Sequence, residues 1–129
     1  MDPPVSGNRR VLVVDDDRRL AELIRDYLTP LGYQIELRHN GPEGLEEALA
    51  GSYEAMILDV MMPGMDGPST FRELRKNPAT AKIPVLLLTA KVQSSDQRRF
   101  ADLGVESVLF KPFDPMTLAD QIAGALGWK

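Results

Sequence analysis

Short apolar stretches punctuate the chain, and four of them run straight into polar residues. Arg10-Val11-Leu12-Val13-Val14 leads into Asp15-Asp16-Asp17, and Ala55-Met56-Ile57-Leu58 into Asp59. Val85-Leu86-Leu87-Leu88 leads into Thr89-Ala90, and Val108-Leu109-Phe110 into Lys111-Pro112. Uninterrupted runs of Val, Ile and Leu predict strands buried on both faces of a parallel sheet. A fifth stretch, Gln34-Ile35-Glu36-Leu37-Arg38, alternates polar and apolar, which predicts an edge strand with one wetter face.

Between the strands the apolar period lengthens to that of a helix. Leu20, Leu23, Ile24, Tyr27 and Leu28 fall on one face before Pro30 and Gly32 stop the first helix. Asn40 predicts the cap of a second helix carrying Leu45, Ala48 and Leu49 inward and ending at Gly51. A turn-rich loop, Met61 to Gly67, precedes a helix with Phe71 and Leu74 on its core face, closed by Asn77-Pro78. Ser94, Ser95 or Asp96 can start a short polar helix containing Phe100 and Leu103, ended by Gly104. Asp114-Pro115 caps the last helix, which buries Leu118, Ile122, Ala125 and Leu126, with Trp128 at the core's rim. This βα alternation, with no internal repeat or linker, predicts an α/β fold: a doubly wound parallel sheet of five strands with right-handed crossovers and helices on both faces.

Composition narrows the function. At 129 residues there is room for one domain and one core. Residues 1–8 lack an apolar signal core and are expected to form a loose tail, leaving residues 9–129 as the domain. The net charge of −4, with arginine pairs short and scattered, argues against direct nucleic-acid binding. The absence of cysteine excludes thiol chemistry and fits a reducing, cytoplasmic compartment. No apolar stretch approaches the roughly 20 residues that span a bilayer, so no membrane association is expected.

The carboxyl ends of parallel strands share one edge of the sheet, where open α/β sheets bind ligands. Asp15, Asp16, Asp59, Thr89 and Lys111 therefore converge there. Carboxylates ~4 Å apart repel by about 4 kcal/mol at an effective dielectric of ~20, so such a cluster persists around a cation. Hard oxygen ligands without His or Cys favour Mg²⁺, or Mn²⁺. His39 stands at a strand end with no companion ligands and is expected at the surface; Asp17 is expected to cap the first helix. Carboxylate, metal, ammonium and hydroxyl together suit phosphoryl transfer, with an aspartate as nucleophile.

The segments Val13-Val14-Asp15-Asp16-Asp17, Leu58-Asp59 through Met65-Asp66-Gly67, Leu88-Thr89-Ala90 and Lys111-Pro112-Phe113 resemble the receiver domain of bacterial two-component response regulators. The likeness covers roughly residues 9 to 127, and four motifs in order at these spacings are specific. The resemblance implies a flavodoxin-like or CheY-like sheet in the order 2-1-3-4-5, for which a member of this family is itself a standard example. It implies that Asp59 accepts a phosphoryl group, and that Asp15, Asp16, Asp59 and the Met61 carbonyl hold Mg²⁺. Lys111 would pair with the phosphoryl oxygens, Thr89 would bind one as the switch, and Lys111–Pro112 would be a cis peptide. The partners implied are a histidine kinase or histidine phosphotransferase and a downstream protein. Such a receiver is a phospho-accepting signalling protein, not an enzyme in the usual sense, although it assists its own phosphorylation and dephosphorylation.

Two departures shape the expectation. Val108 stands three residues before Lys111, where many receivers carry an aromatic partner for the threonine. Switching is therefore expected to travel through packing and through the segment Ala90 to Leu103. The last helix carries Asp114 and Asp120 and no Lys or Arg before Lys129, so a monomer or weak dimer is expected. A haloacid-dehalogenase-like phosphatase would need a second aspartate where Met61 stands. A flavodoxin-like FMN carrier would need a Ser/Thr/Gly-rich loop where the three aspartates stand. The remaining alternatives are a phosphorylation-independent receiver-like scaffold, or a receiver excised from a larger regulator or hybrid kinase.

Overall fold

The computed structural model describes residues 9–90 and 93–128. The expected tail at residues 1–8, the Lys91 and Val92 part of the expected switching segment, and Lys129 lie outside them. Five strands alternate with five helices: β1 (Arg10–Val14), α1 (Arg18–Leu28), β2 (Gln34–Arg38), α2 (Gly41–Ala50), β3 (Ala55–Asp59), α3 (Gly67–Lys76), β4 (Val85–Thr89), α4 (Ser94–Asp102), β5 (Ser107–Phe110) and α5 (Pro115–Leu126). All strand pairs are parallel and the sheet order is β2-β1-β3-β4-β5.

The continuous apolar strands have two faces to bury, and each face has its own core. Val11, Val13, Ile57, Leu86, Leu88 and Leu109 pack with Ala21, Ile24 and Leu28 of α1 and with Leu118 and Ile122 of α5. The alternate residues, Leu12, Val14, Met56, Leu58, Val85 and Leu87, pack with Ala48 of α2, Phe71 and Leu74 of α3 and Phe100 of α4. Each fully buried Leu, Ile or Phe contributes about 1.5–3 kcal/mol, so these two layers supply the main drive to fold. β2, at the sheet edge, keeps the alternating exposure its sequence predicts.

Caps set the helix starts. Asp17, Asn40, Asp66 and Asp114 accept hydrogen bonds from the backbone N–H groups of Leu20, Glu43, Ser69 and Met116. These bonds satisfy donors that a helix N-terminus otherwise leaves open. α4 begins at Ser94, one of the three expected starts, but Gln93 precedes it and makes no side-chain cap bond. The expected inward faces were also drawn too wide, since Leu23, Tyr27 and Leu49 remain exposed. The sheet covers only the stripe of α1 through Ala21, Ile24 and Leu28 and the stripe of α2 through Gly41, Gly44 and Ala48. Tight packing explains the second stripe, because a Cβ on Gly44 would come within 2.8 Å of Val14. Trp128 sits over Tyr33, with Arg9 stacked on it at 4.6 Å, and closes the far end of the core.

Candidate functional site

Four strand ends bring the polar residues together. Asp59 and Thr89 are the last residues of β3 and β4, and both are buried. Asp15 and Asp16 follow β1 directly; Asp15 is buried and Asp16 exposed. Lys111 follows β5, and its backbone N–H donates to the Thr89 carbonyl at 2.8 Å. The Lys111–Pro112 peptide is cis, as the resemblance implied.

Lys111 reaches back across the sheet edge. Its Nζ donates to Asp59 Oδ1 at 2.9 Å and lies 3.3 Å from Asp15 Oδ2. Carboxylate oxygens of Asp15, Asp16 and Asp59 all lie within 4.8 Å of one another. The β3–α3 loop is fixed from the other side, with the Gly67 N–H donating to the Val60 carbonyl at 3.0 Å. A Cβ at Gly67 would fall 2.4 Å from the Asp59 carbonyl oxygen, so only glycine lets the loop close this near the acid.

The electrostatics follow from burial and like charge. Burial pushes the Asp59 carboxyl up to about 7; the Lys111 hydrogen bond opposes the shift and the Asp15 charge adds to it. Asp15 is raised as well, chiefly by burial, against a backbone hydrogen bond from Asp17 and the Lys111 charge. Burial would lower Lys111, but its hydrogen bond to Asp59 and the charges of both acids outweigh that and raise it, so it stays an ammonium. One cation thus faces three acids, a local deficit of positive charge.

The donor set fits a hard divalent cation. Asp15 Oδ1 accepts from the Asp17 N–H at 2.9 Å, whereas its Oδ2 is buried and accepts no hydrogen bond despite the nearby ammonium. A buried, unsatisfied carboxylate oxygen costs about 1–3 kcal/mol or more, and here it sits among oxygens of the type that Mg²⁺ takes.

The structure therefore brings together Asp15, Asp16, Asp59 and Lys111, with buried Thr89 on the adjacent strand end. Met61 lies two residues beyond Asp59 in the loop, with 61% of its surface exposed. Val108 is partly buried against the α2–α4 layer, and Phe110 is exposed. Sequence reasoning missed His39. Its Nδ1 lies 3.0 Å from the Asp15 carbonyl oxygen, so it supports the acid loop instead of standing free at the surface. Its place at the end of the strand beside the first was the signal available. Among the described residues, no helix is long and apolar enough to cross a membrane.

Comparison with known proteins agrees with this geometry. The response regulator receiver domain family matches residues 11–123. The chain is 34% identical over 121 residues to the transcriptional regulatory protein ResD of Bacillus subtilis, covering 94% of this chain and 49% of that protein. It is 41% identical over 104 residues to the response regulator MprA of Mycobacterium avium, covering 81% of this chain and 45% of that one. The chain thus spans about half the length of these curated relatives. Among solved structures, the chemotaxis protein CheY4 of Vibrio cholerae superposes with a TM-score of 0.85 at 28% identity, covering 91% of this chain and 98% of that one. The signal receiver domain of a histidine kinase from Syntrophus aciditrophicus gives a TM-score of 0.82 at 32% identity, covering 92% and 90%. Fold, acidic pocket and family match converge: the chain belongs to the response regulator receiver domain family, and is a two-component signalling module rather than a conventional enzyme.

Proposed function

We propose that residues 9–129 form a cytoplasmic receiver that accepts a phosphoryl group on Asp59 from a histidine kinase or histidine phosphotransferase. The observation that carries this reading is the buried Asp59 carboxylate, held 2.9 Å from Lys111 among acids whose oxygens lie within 4.8 Å. Asp15, Asp16, Asp59 and the Met61 carbonyl would hold Mg²⁺, or Mn²⁺. The metal would supply positive charge against the phosphoryl oxygens and offset the repulsion among the acids.

In the transfer, an Asp59 oxygen attacks the phosphorus of a phosphohistidine in line. The new O–P bond forms as the P–N bond breaks, and the imidazole nitrogen leaves with the electron pair and takes up a proton. Lys111, already fixed between Asp15 and Asp59, is placed to neutralise charge on the transferring oxygens without rearranging first. Thr89, on the neighbouring strand end, is the residue whose hydroxyl would report the new group. That report would pass to the segment between Ala90 and Leu103, and to a protein partner.

The donor must reach Asp59 from the open side of the cleft. A hollow of about 340 Å³ beside Lys111, lined by Leu20, Leu23, Ala90, Lys111, Pro112 and Phe113, is suited to an apolar helix side chain of that donor. The relatives ResD and MprA are named as regulators and extend to about twice the length of this chain, so an output through a larger protein is compatible with the same site. The test is incubation with acetyl phosphate and Mg²⁺, followed by intact mass. One added phosphoryl group is expected, and none when the metal is chelated before the donor is added. No uptake under any donor would favour the phosphorylation-independent scaffold.

A further inference from the structure

The strand β2 contributes no acid to the site, yet it grips the residue on which the acidic pair depends. The parallel ladder between β1 and β2 continues past the strands, with the Asp15 N–H donating to the Arg38 carbonyl at 3.1 Å. The next donor of a regular ladder would be the Asn40 N–H, but Asn40 turns away to cap α2, accepting from the Glu43 N–H at 2.8 Å. The carbonyl of Asp15 is met instead by a side chain, His39 Nδ1 at 3.0 Å. A carbonyl oxygen only accepts, so Nδ1 carries the proton. Arg38 is itself anchored to α2 through Glu47 at 2.7 Å, so the end of β2 is a stiff support.

We propose that His39 is a positioning residue for the metal-binding acids, fixing the peptide that joins Asp15 to Asp16 so that both carboxylates converge on Asp59. The inference rests on the reading that this cluster holds a divalent cation. Asp15 is then held at three points: its N–H by Arg38, its carbonyl by His39, and Oδ1 by the Asp17 N–H at 2.9 Å. Oδ2 faces the interior of the cluster, 3.3 Å from the Lys111 ammonium. Releasing the carbonyl lets the Asp15–Asp16 peptide plane rotate, which spreads the two side chains that leave from either end of it. The carboxylates and Lys111 remain present, so the loss falls on preorganisation of the metal site.

The test compares the parent with His39→Asn, whose amide N–H takes the place of Nδ1–H, and His39→Leu, which has no donor. Calorimetry gives the Mg²⁺ affinity, and phosphorylation by acetyl phosphate is followed against Mg²⁺ concentration. His39→Leu should raise the Mg²⁺ Kd about three- to tenfold, the worth of one hydrogen bond. The Mg²⁺ needed for half-maximal phosphorylation should rise by the same factor, while the rate at saturating Mg²⁺ stays within about twofold. His39→Asn should match the parent within about twofold. If His39→Leu does not fold, His39→Ala makes the same comparison. A lower melting temperature with unchanged Mg²⁺ affinity would overturn the proposal, because a mere brace would do that. If the parent itself neither binds Mg²⁺ nor takes up phosphate, the receiver reading fails and this proposal with it. If the parent does both and His39→Leu equals it, only the proposal fails.

Discussion

Neutralising Asp59 should stabilise the metal-free protein, and the size of the effect can be worked from the site. At an effective dielectric of ~20, the Lys111 contact at 2.9 Å attracts Asp59 by about 6 kcal/mol, and Asp15 within 4.8 Å repels it by at least about 3.5. Asp16 is exposed, and at a water-like dielectric adds only about 1 kcal/mol of repulsion. The pair terms therefore nearly cancel and burial decides, which is why the carboxyl rises from 3.8 to about 7. A difference of that size, at ~1.4 kcal/mol per pH unit, makes the ionised group cost the fold about 4 kcal/mol. Asp59→Asn removes that ionisation cost; allowing about half of it for relaxation of the site around the buried charge leaves a net gain of about 2 kcal/mol. For a chain of this length, that is a rise in Tm of roughly 6–10 °C.

The sign with pH is specific. A group whose pKa is raised by folding adds stability that is complete below its unfolded value and lost as pH rises through the folded one. The gap between the two proteins should thus be full above pH 7 and closed near pH 4. Thermal melts of both proteins in chelator, at several pH values between 8 and 4, measure it. Saturating Mg²⁺ should then narrow the gap by stabilising the parent, by about 2.7 kcal/mol at 100 times Kd. If Asp59→Asn is no more stable at pH 8, or the gap does not change with pH, the acids are not the strained cluster described above.

Lys111→Met should leave Mg²⁺ affinity within about threefold but slow phosphorylation by on the order of 10²-fold, as loss of one preorganised charge-stabilising group does; equal rates in a quench-flow or gel assay would remove Lys111 from the transfer. Asp16→Ala should weaken Mg²⁺ binding about tenfold or more by calorimetry, since one charge-assisted ligand is gone. Gly44→Ala should lower stability by about 1–3 kcal/mol, because the added methyl meets Val14 at 2.8 Å. An alanine that instead raised the Tm, as helix propensity alone would have it, would mean that α2 is not packed this tightly on β1.

Much of this architecture could be read directly from the residues, for physical reasons that differ by element. The strands were plain because a strand buried on both faces needs an unbroken apolar run, as in Val85 to Leu88. The caps at Asp17, Asn40 and Asp114 were plain because a short acceptor before a helix has one dominant use. The sheet order came from the family resemblance; periodicity alone does not rank the strands. Leu23, Tyr27 and Leu49 were misplaced because periodicity marks an apolar stripe without telling how much of it a neighbour covers. The start of α4 was legible only as a choice among three adjacent polar residues, because no side-chain cap bond marks its first residue, Ser94. His39 escaped because a side chain bonding to a backbone 24 residues away leaves no trace in local pattern. The convergence of Asp15, Asp16, Asp59 and Lys111 was legible only once the strands were taken as parallel, since their spacing along the chain says nothing of the sheet edge they share.

The central claim is that Asp59 alone carries the phosphoryl group, and the most direct measurement is chemical identification of the modified residue. The protein is incubated with acetyl phosphate and Mg²⁺, the acyl phosphate is trapped by borohydride reduction, and the digested peptides are sequenced by tandem mass spectrometry. Reduction to the side-chain alcohol is expected at position 59 and nowhere else, and Asp59→Asn should yield none. Reduction at Asp15 or Asp16 in place of Asp59, or equal labelling of the Asp59→Asn protein, would contradict the account.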